Sequence, residues 1–131
     1  MSARLVVASA ALVALAACSD GPKAGELAVR LATPNTGADR AILFTVKGRL
    51  SGAVAPSGAS YGVVSTTFPG DSTHIAVIAA SGQTLAPGAV ALIRVNDIDR
   101  FASYTAFVTQ VVARDYTQLV TAGYVLSVVK P

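Results

Sequence analysis

Three places in the chain hold residues whose types could do chemistry. The first is Asp71-Ser72-Thr73-His74, which gathers a carboxylate, two hydroxyls and the only histidine into consecutive positions. Nucleophilic catalysis uses these groups, a base drawing a hydroxyl proton while a carboxylate orients the base. Each group must reach the next, however, and neighbours along a strand point to opposite faces. Asp71 and Ser72 also follow Pro69-Gly70, a turn composition. The segment therefore reads as a turn leading to an exposed His74, and no catalytic residue is assigned.

The second place is Asn96-Asp97-Ile98-Asp99, with oxygen donors of the kind Ca²⁺ takes. It departs from the EF-hand pattern, because Phe101 stands where a third Asp or Asn is needed and no glycine follows. Arg94 and Arg100 flank the loop, and local ion pairs would satisfy its carboxylates without a metal. Asn96, Asp97 and Asp99 stand as a candidate cation site beside the simpler reading of a polar loop. One histidine and one cysteine do not make a zinc site of the usual kind.

The third is the set of tyrosines. A ring that stacks on a sugar must be exposed, and the chain has no tryptophan to do this. Tyr104 and Tyr124 fall in phase with aliphatic residues and read as core. Tyr116, between Asp115 and Thr117, is the candidate ligand-binding aromatic. Phosphate loops and dinucleotide fingerprints are absent from the sequence.

The remaining reactive side chain is Cys18, the only cysteine. It follows a short basic start with Arg4 and an apolar run over residues 5–17, interrupted only by Ser9. Thirteen residues fall short of the roughly 20 a membrane-spanning helix needs, and the order of regions is that of a secretory signal. Leu15-Ala16-Ala17-Cys18 resembles the lipobox of bacterial lipoproteins. The resemblance implies cleavage after residue 17 and lipid on the Cys18 sulfur, the one covalent group expected, with no other cofactor. It also gives an unpaired thiol in an exported chain its explanation. Ser19 after the cysteine resembles outer-membrane sorting in a diderm host, Asp20 bears the other way, and a monoderm host stays open.

The chain beyond residue 17 must position these residues. It comprises 114 residues, enough for one domain with a single core. About half of them are apolar, an ordinary share. Nine Lys and Arg stand against seven Asp and Glu without a charge run, too slight a balance to argue for nucleic acid. Residues 18–25 read as the lipidated terminus and a short tether, and residues 26–131 as the domain.

Within that domain the periodicity is two. Leu27, Val29 and Leu31 alternate with Glu26, Ala28 and Arg30, and Ile42, Phe44 and Val46 alternate in the same way. Further β-like runs cover residues 51–55, 61–67, 74–79, 89–95, 104–113 and 121–129, with Gly- and Pro-containing turns between them. Helix signals are confined to single turns over residues 99–103 and 114–119. The expectation is an all-β, antiparallel sandwich of about seven to nine strands, immunoglobulin-like or cohesin-like, with an eight-stranded barrel as the rival. The rhythm over residues 26–129, ending in Tyr124-x-Leu126-x-Val128, resembles cohesin and carbohydrate-binding-module sandwiches of bacterial surface proteins.

The functional expectation is a non-catalytic, lipid-anchored envelope protein that contacts the membrane through its lipid and another envelope protein through its domain. A glycan- or small-molecule-binding module is the alternative. An interaction module predicts a flat apolar patch; a ligand module predicts Tyr116 exposed beside a groove.

Overall fold

A computed structural model describes residues 21–131. The expected signal peptide, residues 1–17, and Cys18 lie outside the described residues. The strands are β1 (Gly25–Ala32), β2 (Asp39–Lys47), β3 (Gly52–Val54), β4 (Tyr61–Phe68), β5 (Ser72–Ala79), β6 (Gly88–Val95), β7 (Thr105–Ala113), β8 (Gln118–Leu119) and β9 (Val125–Val129). One sheet has the order β3-β6-β1-β9 and the other β4-β5-β2-β7-β8, and their pairings are antiparallel. Both sheets are open, so the architecture is a β-sandwich and not a closed barrel.

The core is filled by the alternate residues that the period of two singles out. Leu27, Val29 and Leu31 of β1 face Ile42, Phe44 and Val46 of β2 and Ile75 and Val77 of β5, all in one cluster. Three irregularities interrupt the alternation, one of them leaving Arg40 of β2 unpaired between Asp39 and Ala41. On β7, Val108 pairs with Phe44 and Gln110 with Leu43, leaving Thr109 as the extra residue. Inward residues therefore change phase from Ala106 and Val108 to Val111. On β6 the extra residue is Val90, and Val90 and Ala91 are both buried. A bulge sets two residues against one and re-aims the strand.

Among the described residues, one carboxylate sits in this interior, along with the buried hydroxyl of Thr73. Asp39, within a stretch that reads as a turn, is fully buried at the start of β2. Its carboxylate accepts from the Tyr124 hydroxyl at 2.5 Å and from the Thr33 hydroxyl at 2.5 Å. Asn35 donates to the Tyr124 oxygen at 2.9 Å. Donors thus replace the water that a buried carboxylate loses. At the opposite end Tyr104 is buried and donates to the Arg49 carbonyl at 2.6 Å.

Two expectations about elements need correction. Residues 114–119 are not a helical turn: Tyr116 has φ +67, Asp115 accepts from Thr117 N–H, and β8 pairs back onto β7. A left-handed residue cannot continue a right-handed turn. The last strand is shorter than residues 121–129, because a turn through Gly123 (φ +85) brings Tyr124 to Asp39 before β9 begins. Ahead of β1, the Lys23 carbonyl accepts from Ile98 N–H at 2.8 Å. The single turn expected over residues 99–103 is present as a 3-10 helix, Ile98–Ser103. Among the described residues, no helix is long and apolar enough to cross a membrane.

Candidate functional site

The Asp71-Ser72-Thr73-His74 cluster is taken apart by the β4–β5 hairpin. Asp71 sits in the turn at φ +58, with its carboxylate 3.6 Å from the Arg49 guanidinium. Thr73 points inward, is buried and shares a hydrogen bond with the Thr67 hydroxyl at 3.3 Å. His74 points outward and packs its ring on Phe68, centroids 4.5 Å apart.

The residues around Asp97 are likewise drawn to separate partners. Asp97 caps the 3-10 helix, accepting from Asp99 N–H at 3.1 Å, and its other oxygen lies 3.8 Å from Arg100. Asp99 instead takes the Lys130 ammonium at 2.6 Å, and that hydrogen bond holds its carboxyl below the usual carboxylate range. Arg94 pairs across the sheet with Glu26 at 3.8 Å, not with the loop. Asn96 is exposed on a depression of about 400 Å³ shared with Leu50 and Val95. Among the described residues, no three His, Cys, Asp or Glu side chains converge as metal ligands.

Tyr116 is 72% exposed at the tip of the β7–β8 turn, where Thr117 hydrogen bonds hold the Asp115 carboxyl low. The Arg40 guanidinium lies 5.2 Å from the Tyr116 ring centroid, so one face of the ring carries a cation. A shallow depression lined by Gly37, Ala38, Ala113, Arg114 and Asp115 lies alongside in sequence and on the surface.

The largest feature was not singled out from the sequence: the outer face of the five-stranded sheet. The pairing register runs rows across it, Gly62, Ile78, Ala41 and Val112 in one, Val64, Ala76, Leu43 and Gln110 in the next. A third row runs through Thr66, His74, Thr45 and Phe107, and a fourth through Phe68, Ser72, Lys47 and Thr105. Val64, Phe68, Ile78 and Phe107 are large and exposed. The only ionisable groups in these rows are His74 and Lys47, and the Lys47 ammonium lies 5.9 Å from the Phe107 ring centroid. No carboxylate stands among them.

The other outer face is different in kind. There β1 and β6 present Glu26, Arg30 and Arg94, with Glu26 and Arg94 paired. Leu92 and Val125, the latter 59% exposed, share that face, so what sets the five-stranded sheet apart is its lack of carboxylates together with four large exposed apolar residues. The signal for this was present in strands apolar in both phases, such as Ile75-Ala76-Val77-Ile78 and Ile42-Leu43-Phe44. An antiparallel strand with only one buried face alternates instead.

No family model, curated protein or solved structure matches this chain.

Proposed function

We propose that the chain is a non-catalytic lipoprotein of the bacterial envelope, anchored through Cys18, whose domain works as a protein-interaction or structural module. The observation that carries this reading is the outer face of the five-stranded sheet, which exposes Val64, Phe68, Ile78 and Phe107 and holds no carboxylate in its rows. Large apolar side chains gathered on one exposed face are a feature of interaction surfaces. Asp71, Thr73 and His74 point to separate partners, and Asp97 and Asp99 are engaged by other groups, so these five residues do not converge as an acid–base set.

The anchor adds a geometric constraint. With Lys23 hydrogen-bonded to the domain, the five steps from Cys18 extend at most about 18 Å. The chain enters at the end of the sandwich where Lys47 and Phe68 also lie, since Gly25 pairs with Val95 and the following 3-10 helix leads to Thr105 opposite Lys47. The module would therefore work within a domain's width of the bilayer, at the outer membrane if Ser19 directs sorting.

The test joins two measurements. Intact mass and fractionation of wild type beside Cys18→Ala should show lipid and membrane residence for the first only. A photo-crosslinker at Phe107 should give a discrete adduct with another envelope protein in intact cells, and one at Arg30 should not. A soluble, unlipidated wild type removes the anchor; equal adducts from both positions remove the interaction face.

A glycan-binding reading rests on one observation, the exposure of Tyr116 beside its depression. Loss of glycan retention by Tyr116→Ala would favour it over the first reading.

A further inference from the structure

Four strands form the edges of the two sheets, and three of them are blunted. β8 has two residues and β3 has three, while β9 has five and runs into Lys130 and Pro131. β4 has eight residues, contains no charge and no proline, and pairs on one side only, with β5. Such an edge offers a row of unpaired backbone donors and acceptors, which folded proteins ordinarily protect with charge, proline or brevity.

The side chains of β4 are complementary to themselves. Reflected about Ser65 in an antiparallel pair, Phe68 falls opposite Gly62 and Val64 opposite Thr66 on the outer face. Val63 falls opposite Thr67 on the inner face. Gly62 leaves a gap beside its partner Ile78, which is 43% exposed. A Cβ at Gly62 would meet nothing nearer than the Ile78 carbonyl at 3.9 Å, so the space is open. Phe68, 44% exposed, is large enough to fill it. A two-fold axis through Ser65 seats both phenylalanines against both glycines at once, the reciprocity an isologous dimer requires. An aromatic ring across from an edge glycine is a favourable pair, as are facing β-branched residues. Moving the axis to Val64 loses this fit, setting Phe68 against Ser60 outside the strand. The absence of charge on β4 leaves nothing to repel its copy.

We propose that the β4 edge is a homodimer interface, in which β4 pairs antiparallel with β4 of a second copy and Ser65 lies on the two-fold axis. Outer residues stay outer under this operation, so the two five-stranded sheets join into one of ten strands. The apolar face becomes continuous across both copies. This interface adjoins the proposed partner-binding face and shares Val64, Phe68 and Ile78 with it, but it is made by the backbone edge of β4 and does not depend on the lipid.

The full chain, solubilised in detergent, should sediment at twice its monomer mass. Gly62→Lys should lose the dimer while keeping the wild-type circular dichroism spectrum and melting temperature. Thr66→Lys, at an exposed position, serves as the second variant should Gly62→Lys fold poorly. Under mild oxidation in membranes, Ser65→Cys should give a disulfide-linked dimer above the wild-type background. Thr67→Cys should not, because its copies would stand four residues apart along the pair, roughly 13 Å. A monomeric wild type, a dimer that survives both lysine substitutions, or equal crosslinking at residues 65 and 67 would overturn the proposal.

Discussion

Asp39 shows how much a single residue can be asked to hold. Its carboxylate is fully buried with no cation among its partners, and it is kept in place by the Tyr124 and Thr33 hydroxyls. A hydrogen bond to a charged group contributes about 1.5–3 kcal/mol. Tyr124→Phe should lower unfolding stability by that amount in a denaturant titration, with Thr33→Val costing a comparable share. The same bond makes the fold sensitive to alkali. Burial first, and then the bond to Asp39, raises the Tyr124 pKa above the ordinary tyrosine value. In the unfolded chain this residue ionises near pH 10, while the folded chain must keep its proton. The stabilisation is therefore whole below about pH 10 and is lost as pH rises through the raised value. Denaturation midpoints measured from pH 8 upward should fall beyond pH 10, and Tyr124→Phe should flatten that fall. Tyr104, raised mainly by its own burial, adds to the slope.

At the scale of elements, the turns decide what the strands can do. Gly48 follows β2 at φ +130, and a Cβ there would collide with the Tyr104 ring. Gly48→Ala combines an unfavourable backbone conformation with that clash, and should cost about 2 kcal/mol or more, read as a lowered melting temperature. The strands themselves were largely legible in the residues. Leu27, Val29 and Leu31, or Ile42, Phe44 and Val46, need only the period of two to be placed in a core, and the turn at Ile98–Ser103 follows from its polar start. What escaped depends on partners distant in the chain. The phase change at Thr109 exists because Phe44 and Leu43 sit opposite, and Asp39 is buried because Tyr124 arrives from 85 positions away. Of the site, the exposed positions of His74 and Tyr116 were legible. The face built from Val64, Phe68, Ile78 and Phe107 was not, because strands apolar in both phases show that outward apolar residues exist but not which strands bring them side by side.

For the whole molecule, the exposed apolar residues of the five-stranded sheet are distinct from those that hold the fold. Phe107 and Val64 are exposed, so replacing either with Ser removes little buried area. Stability should stay within about 0.5 kcal/mol of wild type, the range of ordinary surface changes, while binding of a hydrophobic dye to the native domain should fall. Stability lies elsewhere, in a pairing that joins the two extremes of the described chain. β9 pairs with β1, Ala28 opposite Val129 and Ala32 opposite Val125, and Tyr124 just before it supplies the donor to Asp39. A chain truncated before Val125 should therefore fail to give a cooperative unfolding transition, because β1 would be left with one neighbour and its core side chains partly uncovered. The same pairing orders assembly in time: β1 leaves the ribosome about a hundred residues before β9, and the sheet it belongs to stays incomplete until β9 follows. Were the chain exported as proposed, compact structure would be postponed until β9 had also crossed.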